Sequence, residues 1–318
     1  MKKILLSSTL IASLVVTSVV AKQTITVFHA GSLKVPFSQI EKAFEEKYPQ
    51  YDVVREGSGS RAAAKKIYAQ GRGADVMASA DYKVIDNLLI PNHAKFNARF
   101  ATNEMAIAYT KNAKFADEIN SKNWPEIFLR DGVRVAHSDP NQDPCGYRSI
   151  LVTKLAQEYY KVPKFYDKLF GYGSSYTKGE ENKSKVVVRP KESQLLKMIE
   201  ENKYDYLYIY KSVAQQHNLN YITLPKEVSL KDNENAKFYK TASFDIDGKK
   251  QGSFITKKGD AMVYGITVVE NKKSPVNKEG AKKFVNFVLS KEGQEIMFKN
   301  GQGVISPAKI TGNASILK

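Results

Sequence analysis

Two short segments place glycine and serine directly after an apolar run. Ser32 follows residues 24–28 through His29-Ala30-Gly31, and Ser60 follows residues 51–56 through Gly57-Ser58-Gly59. Glycine lets another group approach the backbone closely, and a serine opening a helix stands beside N–H groups that have no intrahelical acceptor. Such a composition can cradle an anion. The same serines would serve equally as ordinary N-caps, so each segment alone leaves both readings open. Two handovers on successive strands of one sheet would put both helix starts at its carboxyl edge, where ligands of open α/β sheets collect. That convergence favours the anion.

A third handover is denser. His137-Ser138-Asp139-Pro140-Asn141-Gln142-Asp143-Pro144-Cys145-Gly146-Tyr147-Arg148 leaves a strand, turns on Pro140 and enters a helix. Asp143 suits the N-cap and Pro144 the first helical position, with the N–H groups of Cys145 and Gly146 expected to be free for a ligand. Capping alone would also account for Asp143. A fourth handover, Arg189-Pro190-Lys191-Glu192-Ser193, again opens a helix after a valine run.

Other chemistries find less support. His29, His93, His137 and His217 have no metal-ligand spacing and no HExxH pattern. Cys145 at a helix start could become a thiolate nucleophile, although the same position serves an N–H donor. There is no G-x-S-x-G turn for Ser-His-Asp chemistry, and a secreted hydrolase of phosphorylated compounds would need turnover that no residue here explains. Tyr204, Tyr206, Tyr208 and Tyr210 alternate as phenolate ligands to ferric iron might on one strand face, and equally as the half-buried aromatic face of a strand.

These residues need a scaffold of alternating strands and helices. Apolar, β-branched runs predict strands at 23–28, 51–56, 74–78, 105–109, 133–137, 186–188, 206–210 and 263–269. Helical periodicity covers 35–48, with Phe37, Ile40 and Phe44 on one face, then 62–70, 147–160 and 193–202. Residues 278–300 read as two helical stretches broken at Gly293, and the polar, lysine-rich stretch 225–260 as a hairpin and loops. The expected class is α/β, with layers around mostly parallel sheets. Residues 103–261 already contain a full set of alternating elements, whereas 263–318 need a sheet to pack on. The chain is therefore expected to cross between lobes near 102 and 262, giving one lobe from 22–102 plus 262–318 and another from 103–261.

With 318 residues, 42% hydrophobic and 26% charged, the chain can bury a large core and is not a disordered chain. The net charge of +16 comes from forty-one lysines and only eight arginines, scattered without a dense block. Nucleic-acid binders gather their basic residues on one face, so no nucleic-acid partner is expected. Lys2 and Lys3, an apolar stretch from Ile4 to Val20 and Val19-Val20-Ala21 read as an export signal spanning 1–21. Its removal takes away two lysines and leaves +14. Cys145 is the sole cysteine, so neither a lipidated N-terminal cysteine nor an internal disulfide is expected. The expected location is the periplasm.

The segments Thr24-Ile25-Thr26-Val27-Phe28-His29-Ala30-Gly31-Ser32-Leu33, Gly59-Ser60-Arg61-Ala62, Ala74-Asp75-Val76-Met77-Ala78-Ser79-Ala80-Asp81-Tyr82, Asp143-Pro144-Cys145-Gly146-Tyr147-Arg148 and Arg189-Pro190-Lys191-Glu192 together resemble the periplasmic molybdate/tungstate-binding proteins of ABC transporters, and the tungstate-binding branch most. The resemblance spans essentially the whole mature chain, including 278–307. It implies a two-lobed, type II-like periplasmic-binding-protein fold with a hinge. Such a protein clamps a tetrahedral oxyanion, tungstate or molybdate or another such as sulfate, and delivers it to a permease in the inner membrane. By resemblance, Ser32 and Ser60 would donate from the first lobe. The backbone at Cys145 and near Glu192 and Ser193, with the Tyr210 hydroxyl, would donate from the second. In the tungstate branch the aspartate matching Asp143 and a glutamate in the strand before the final tyrosine complete a six-coordinate metal centre. Ile209 stands where that glutamate is expected, so a four-coordinate anion held by hydrogen bonds is the simpler expectation. No cofactor, no resident metal, no enzymatic activity and a monomer complete the reading, with ferric-iron capture as the alternative.

Overall fold

The computed structural model describes residues 21–270, 273 and 276–318; apart from Ala21, the expected export signal lies outside the described residues. The chain lays down β1 (Gln23–Ala30), β2 (Tyr51–Ser58), β3 (Val76–Ser79) and β4 (Phe96–Thr102), then leaves for a second sheet made of β5 (Met105–Tyr109), β6 (Val135–Ser138), β7 (Val186–Arg189), β8 (Tyr206–Tyr210) and β9 (Asn220–Thr223). A separate hairpin of β10 (Ser243–Asp247) and β11 (Phe254–Lys258) follows. The chain then returns to the first sheet with β12 (Val263–Val268) and β13 (Gly303–Gly312). Strand order is β13-β4-β12-β3-β1-β2 in the first sheet and β7-β6-β8-β5-β9 in the second. Helices pack on both sheets, and the result is a two-lobed α/β molecule.

The expectation of mostly parallel sheets needs correction. Each sheet is parallel in one half, where β1 pairs with β2 and β3, and β6 with β7 and β8. The other half of each is antiparallel: β12 pairs with β3 and β4, β13 with β4, and β5 with β8 and β9. The reason is connectivity. β4 carries the chain out of the first sheet and β12 brings it back, so neighbours on that path must run in opposite directions. The two passages are anchored together, since the Met105 N–H donates to the Ser229 carbonyl at 2.8 Å and the Met262 N–H to the Leu230 carbonyl at 2.9 Å.

Helix Lys34–Lys47 enters through a 3₁₀ turn at Gly31–Leu33 and buries Phe37, Ile40 and Phe44, the stripe expected from its period. Phe44 meets Phe284 edge to face with ring centres 5.3 Å apart. In the second lobe Trp124 is fully buried among Phe128, Phe165 and Tyr208. The C-terminal helices break at Ser290 and not at Gly293. Ser290 ends helix Lys278–Leu289 and caps helix Lys291–Lys299, its Oγ accepting from the Gly293 N–H at 3.3 Å. Gly293 is required for another reason: a Cβ there would lie 2.2 Å from the Phe287 carbonyl oxygen.

Candidate functional site

The parallel halves of the two sheets meet at the ends of β1, β2, β6 and β7, and glycine makes the meeting close. A Cβ on Gly59 would lie 2.4 Å from the Gln142 carbonyl oxygen and 2.9 Å from the Asp143 Cβ. A Cβ on Gly31 would lie 3.4 Å from the Glu192 Cβ and 3.6 Å from its Oε1. Hydrogen bonds cross the same seam. The Ala62 N–H donates to Gln142 at 3.1 Å and Arg61 Nε to the Asn141 carbonyl at 3.0 Å. A cleft of about 480 Å³ opens here, lined in part by Gly31, Gly59, Asp143, Glu192 and Ser193.

Each expected residue can now be located. Ser32 lies in the 3₁₀ turn after β1, buried, its Oγ 2.9 Å from the Tyr264 hydroxyl. Ser60 opens helix Ser60–Tyr68 and is fully buried; its Oγ accepts from the Ala80 N–H at 3.0 Å. Asp143 caps helix Pro144–Tyr160 as expected. The cap, however, uses the N–H groups expected to be free. Cys145 N–H donates to Asp143 Oδ1 at 3.2 Å and Gly146 N–H to the Asp143 carbonyl at 3.0 Å. The Cys145 thiol is buried 3.7 Å from the Tyr208 carbonyl, and burial, reinforced by the charges of Asp143 and Glu192, pushes it well above the usual thiol range. A thiolate nucleophile does not form there. Ser193 is exposed at the rim. Tyr210 is buried at the end of β8, and its hydroxyl accepts from Arg148 Nη1 at 2.8 Å.

Ile209 supplies no carboxylate at its position, as expected. Ile209 is fully buried in β8, registered against Ala106 of β5. Alternation along the strand sends it to the opposite side from Tyr210. A carboxylate that shares the cleft with Asp143 is that of Glu192, in the first turn of helix Glu192–Glu200. Glu192 makes no hydrogen bond among the described residues, and burial followed by the charge of Asp143 pushes it up to about 8. Burial likewise raises Asp143 to about 6, against the opposing pull of the Cys145 N–H. Two acids thus face one cleft, each disfavoured as an anion by burial, although Lys34, Arg55, Lys191 and Lys197 also line it.

A third buried acid behaves differently. Burial would raise Asp81, but Lys257 and then Arg148 overcome this and hold it well below the usual carboxylate range. Lys257 Nζ donates to Asp81 Oδ2 at 2.9 Å, the Tyr147 hydroxyl donates to the same oxygen at 2.5 Å, and Arg148 Nη1 donates to the Ala80 carbonyl at 2.8 Å. These contacts join the first sheet to the helix after β6 and to the hairpin. Lys257 and Tyr264 escaped sequence reasoning, the first as one lysine among many and the second as one aromatic in an apolar strand.

The alternating tyrosines do not converge. The Tyr204 hydroxyl donates to the Leu195 carbonyl at 2.6 Å, Tyr206 to the Lys114 carbonyl, Tyr208 pairs with Thr153 at 2.7 Å, and Tyr210 meets Arg148. Burial raises the pKa of all four hydroxyls, which opposes phenolate ligation of iron.

Comparisons with known proteins place the chain in a family and a fold. A family model described as bacterial extracellular solute-binding protein matches residues 25–302. An uncharacterized solute-binding protein of Petrotoga mobilis is 51% identical over 89% of this chain and 84% of its own. The molybdate/tungstate-binding protein WtpA of Pyrococcus abyssi is 43% identical over 90% of this chain and 86% of its own. Among solved structures, the periplasmic molybdate-binding protein of Azotobacter vinelandii superposes with a TM-score of 0.61 at 14% identity, covering 89% of this chain and all of its own, a likeness of fold. The chain belongs to the bacterial extracellular solute-binding proteins.

Proposed function

We propose that this protein captures tungstate or molybdate in the periplasm and hands it to the permease of an ABC importer. The observation that carries the reading is the pair of buried carboxylates, Asp143 and Glu192, pressed against Gly59 and Gly31 in one cleft. A dianion repels ionised carboxylates strongly at such range. Two carboxylates belong beside one only if they bind its metal atom or carry protons. Tungsten and molybdenum can expand their coordination and sulfur cannot, so ligation by Asp143 and Glu192 would separate these anions from sulfate. With Glu192 present, the argument for a four-coordinate anion loses its premise, and we take both carboxylates as ligands of the bound metal.

The relatives named molybdate/tungstate-binding proteins support the substrate class. In this reading, residues 22–102 plus 262–318 form one lobe and 103–261 the other, and the anion closes them. The protein acts as a monomeric carrier without cofactor or turnover, and its scattered lysines have no nucleic-acid role. Calorimetric titration with tungstate, molybdate and sulfate, with X-ray absorption of the bound metal, tests the proposal. Preference for the metal oxyanions and a six-coordinate spectrum are expected. Equal affinity for sulfate, or no binding, would sink it.

A further inference from the structure

Ser32, Ser60 and Tyr210, the buried hydroxyls expected to meet the oxyanion, share a feature that concerns direction. Ser60 Oγ accepts from the Ala80 backbone N–H at 3.0 Å, and a backbone N–H can only donate. The Tyr210 hydroxyl accepts from Arg148 Nη1 at 2.8 Å, and a guanidinium also only donates. At Ser32 the partner is the Tyr264 hydroxyl, 2.9 Å away, where either oxygen could donate. The next link decides. Asn103 Nδ2 lies 3.0 Å from the Tyr264 hydroxyl and 2.7 Å from Ser212 Oγ, while Asn103 Oδ1 accepts from the Glu104 N–H at 2.9 Å. That N–H can only donate, so it fixes the orientation of the amide and makes Asn103 a donor to Tyr264. Tyr264 then has one proton to place, and Ser32 Oγ is its acceptor.

We infer that each of the three hydroxyls is held through its oxygen by a donor, so that its own proton is left for the oxyanion, and that Asn103, Tyr264 and Arg148 are positioning residues which set these directions. A free serine hydroxyl would divide its time among rotamers and could offer a lone pair to the anion, which repels. A serine whose lone pair is already occupied by a phenol is preset as a donor. The chain Asn103→Tyr264→Ser32 also lies on the two passages between the sheets, since Asn103 directly follows β4 and Tyr264 is the second residue of β12. Neither Asn103 nor Tyr264 is joined to the cleft by any motif in the sequence.

This inference rests on the oxyanion reading, and double-mutant cycles separate the two. The probe is tungstate, titrated into the wild type, Ser32→Ala, Tyr264→Phe and the double variant, each checked for an unchanged fold by circular dichroism. Loss of one hydrogen bond to a charged ligand should make Ser32→Ala about ten- to a hundredfold weaker, and Tyr264→Phe about three- to tenfold weaker. If Tyr264 acts through Ser32, adding Tyr264→Phe to Ser32→Ala should change affinity by less than about twofold. The same logic applies to Arg148→Lys with and without Tyr210→Phe, which decides the matter should Tyr264→Phe not fold. Wild-type binding with additive losses in the cycle would overturn the relay alone. Absence of wild-type binding would overturn both readings.

Discussion

Two buried acidic places lie along the same seam between the lobes and differ in how their charge is met. Asp81 has Lys257, Tyr147 and Arg148 around it and is held ionised. Asp143 and Glu192 face each other across the cleft, and both are pushed up by burial. The first arrangement is complete within the protein and works as a latch. The second has no salt-bridge partner among the described residues and lies in the cleft proposed to take the oxyanion. Burial alone therefore does not identify function; the missing partner does.

The largest effect should come from removing the charge of the latch. Asp81→Asn leaves Lys257 and Arg148 without their carboxylate, and breaking a buried pair of this kind costs about 3–5 kcal/mol. Urea unfolding measures it, and an unchanged midpoint would erase the distinction between the two places. Next, Glu192→Gln and Asp143→Asn should leave stability intact or raised, yet weaken tungstate and molybdate about a hundredfold, ~2.7 kcal/mol. Sulfate, which cannot use a carboxylate ligand, should not weaken with them; parallel losses for all three anions would refute ligation. Gly59→Ala sharpens the comparison from the side of closure. Its Cβ would meet the Gln142 carbonyl at 2.4 Å, so overpacking of about 1–3 kcal/mol should fall on anion binding. The melting temperature of the anion-free protein, which can open, should barely move.

The smallest effect is the dependence on pH, which only one of the two acidic places carries between pH 5 and pH 8. Glu192 titrates higher when folded, at about 8, than its ordinary 4.5. Its neutral form therefore stabilises the empty protein fully below about pH 4.5, and this contribution is lost as pH rises through 8. Asp81, held low, is ionised in both states over that range and adds no slope. Thermal melts of the anion-free protein should show Glu192→Gln gaining on the wild type from pH 5 to pH 8. A gap that narrows over this range would contradict the assignment.

The handovers at Ser32, Ser60 and Asp143 were legible because glycine, serine and the Asp-Pro step mark strand ends and helix starts locally. Glu192 was legible as part of a helix start but not as the partner of Asp143. An acid in a first helical turn is favoured by the helix dipole whether or not it meets a ligand, and its neighbours Gly31 and Asp143 are far away in sequence. Ile209 was legible as a position without a carboxylate, but nothing local in the sequence shows that Glu192 shares the cleft with Asp143. The antiparallel halves of the sheets were hidden because β9 has only four residues and β4 and β13 mix apolar with polar residues without clear alternation. Nothing in their composition tells which sheet they join. Asn103 and Tyr264 act through bonds that join positions 161 residues apart, a relation that no local pattern encodes.

Among the described residues the chain passes between the sheets at two places, and the Ser229-Leu230 segment ties both. If the lobes turn about that joint as in the proposed function, their separation reduces to one angle. A membrane receptor that touches one point on each lobe can read that angle without contacting the cargo. Discrimination among solutes can then reside wholly in the carrier, while its receptor need only recognise a shape, and a change of cargo preference in the cleft would need no matching change in the receptor.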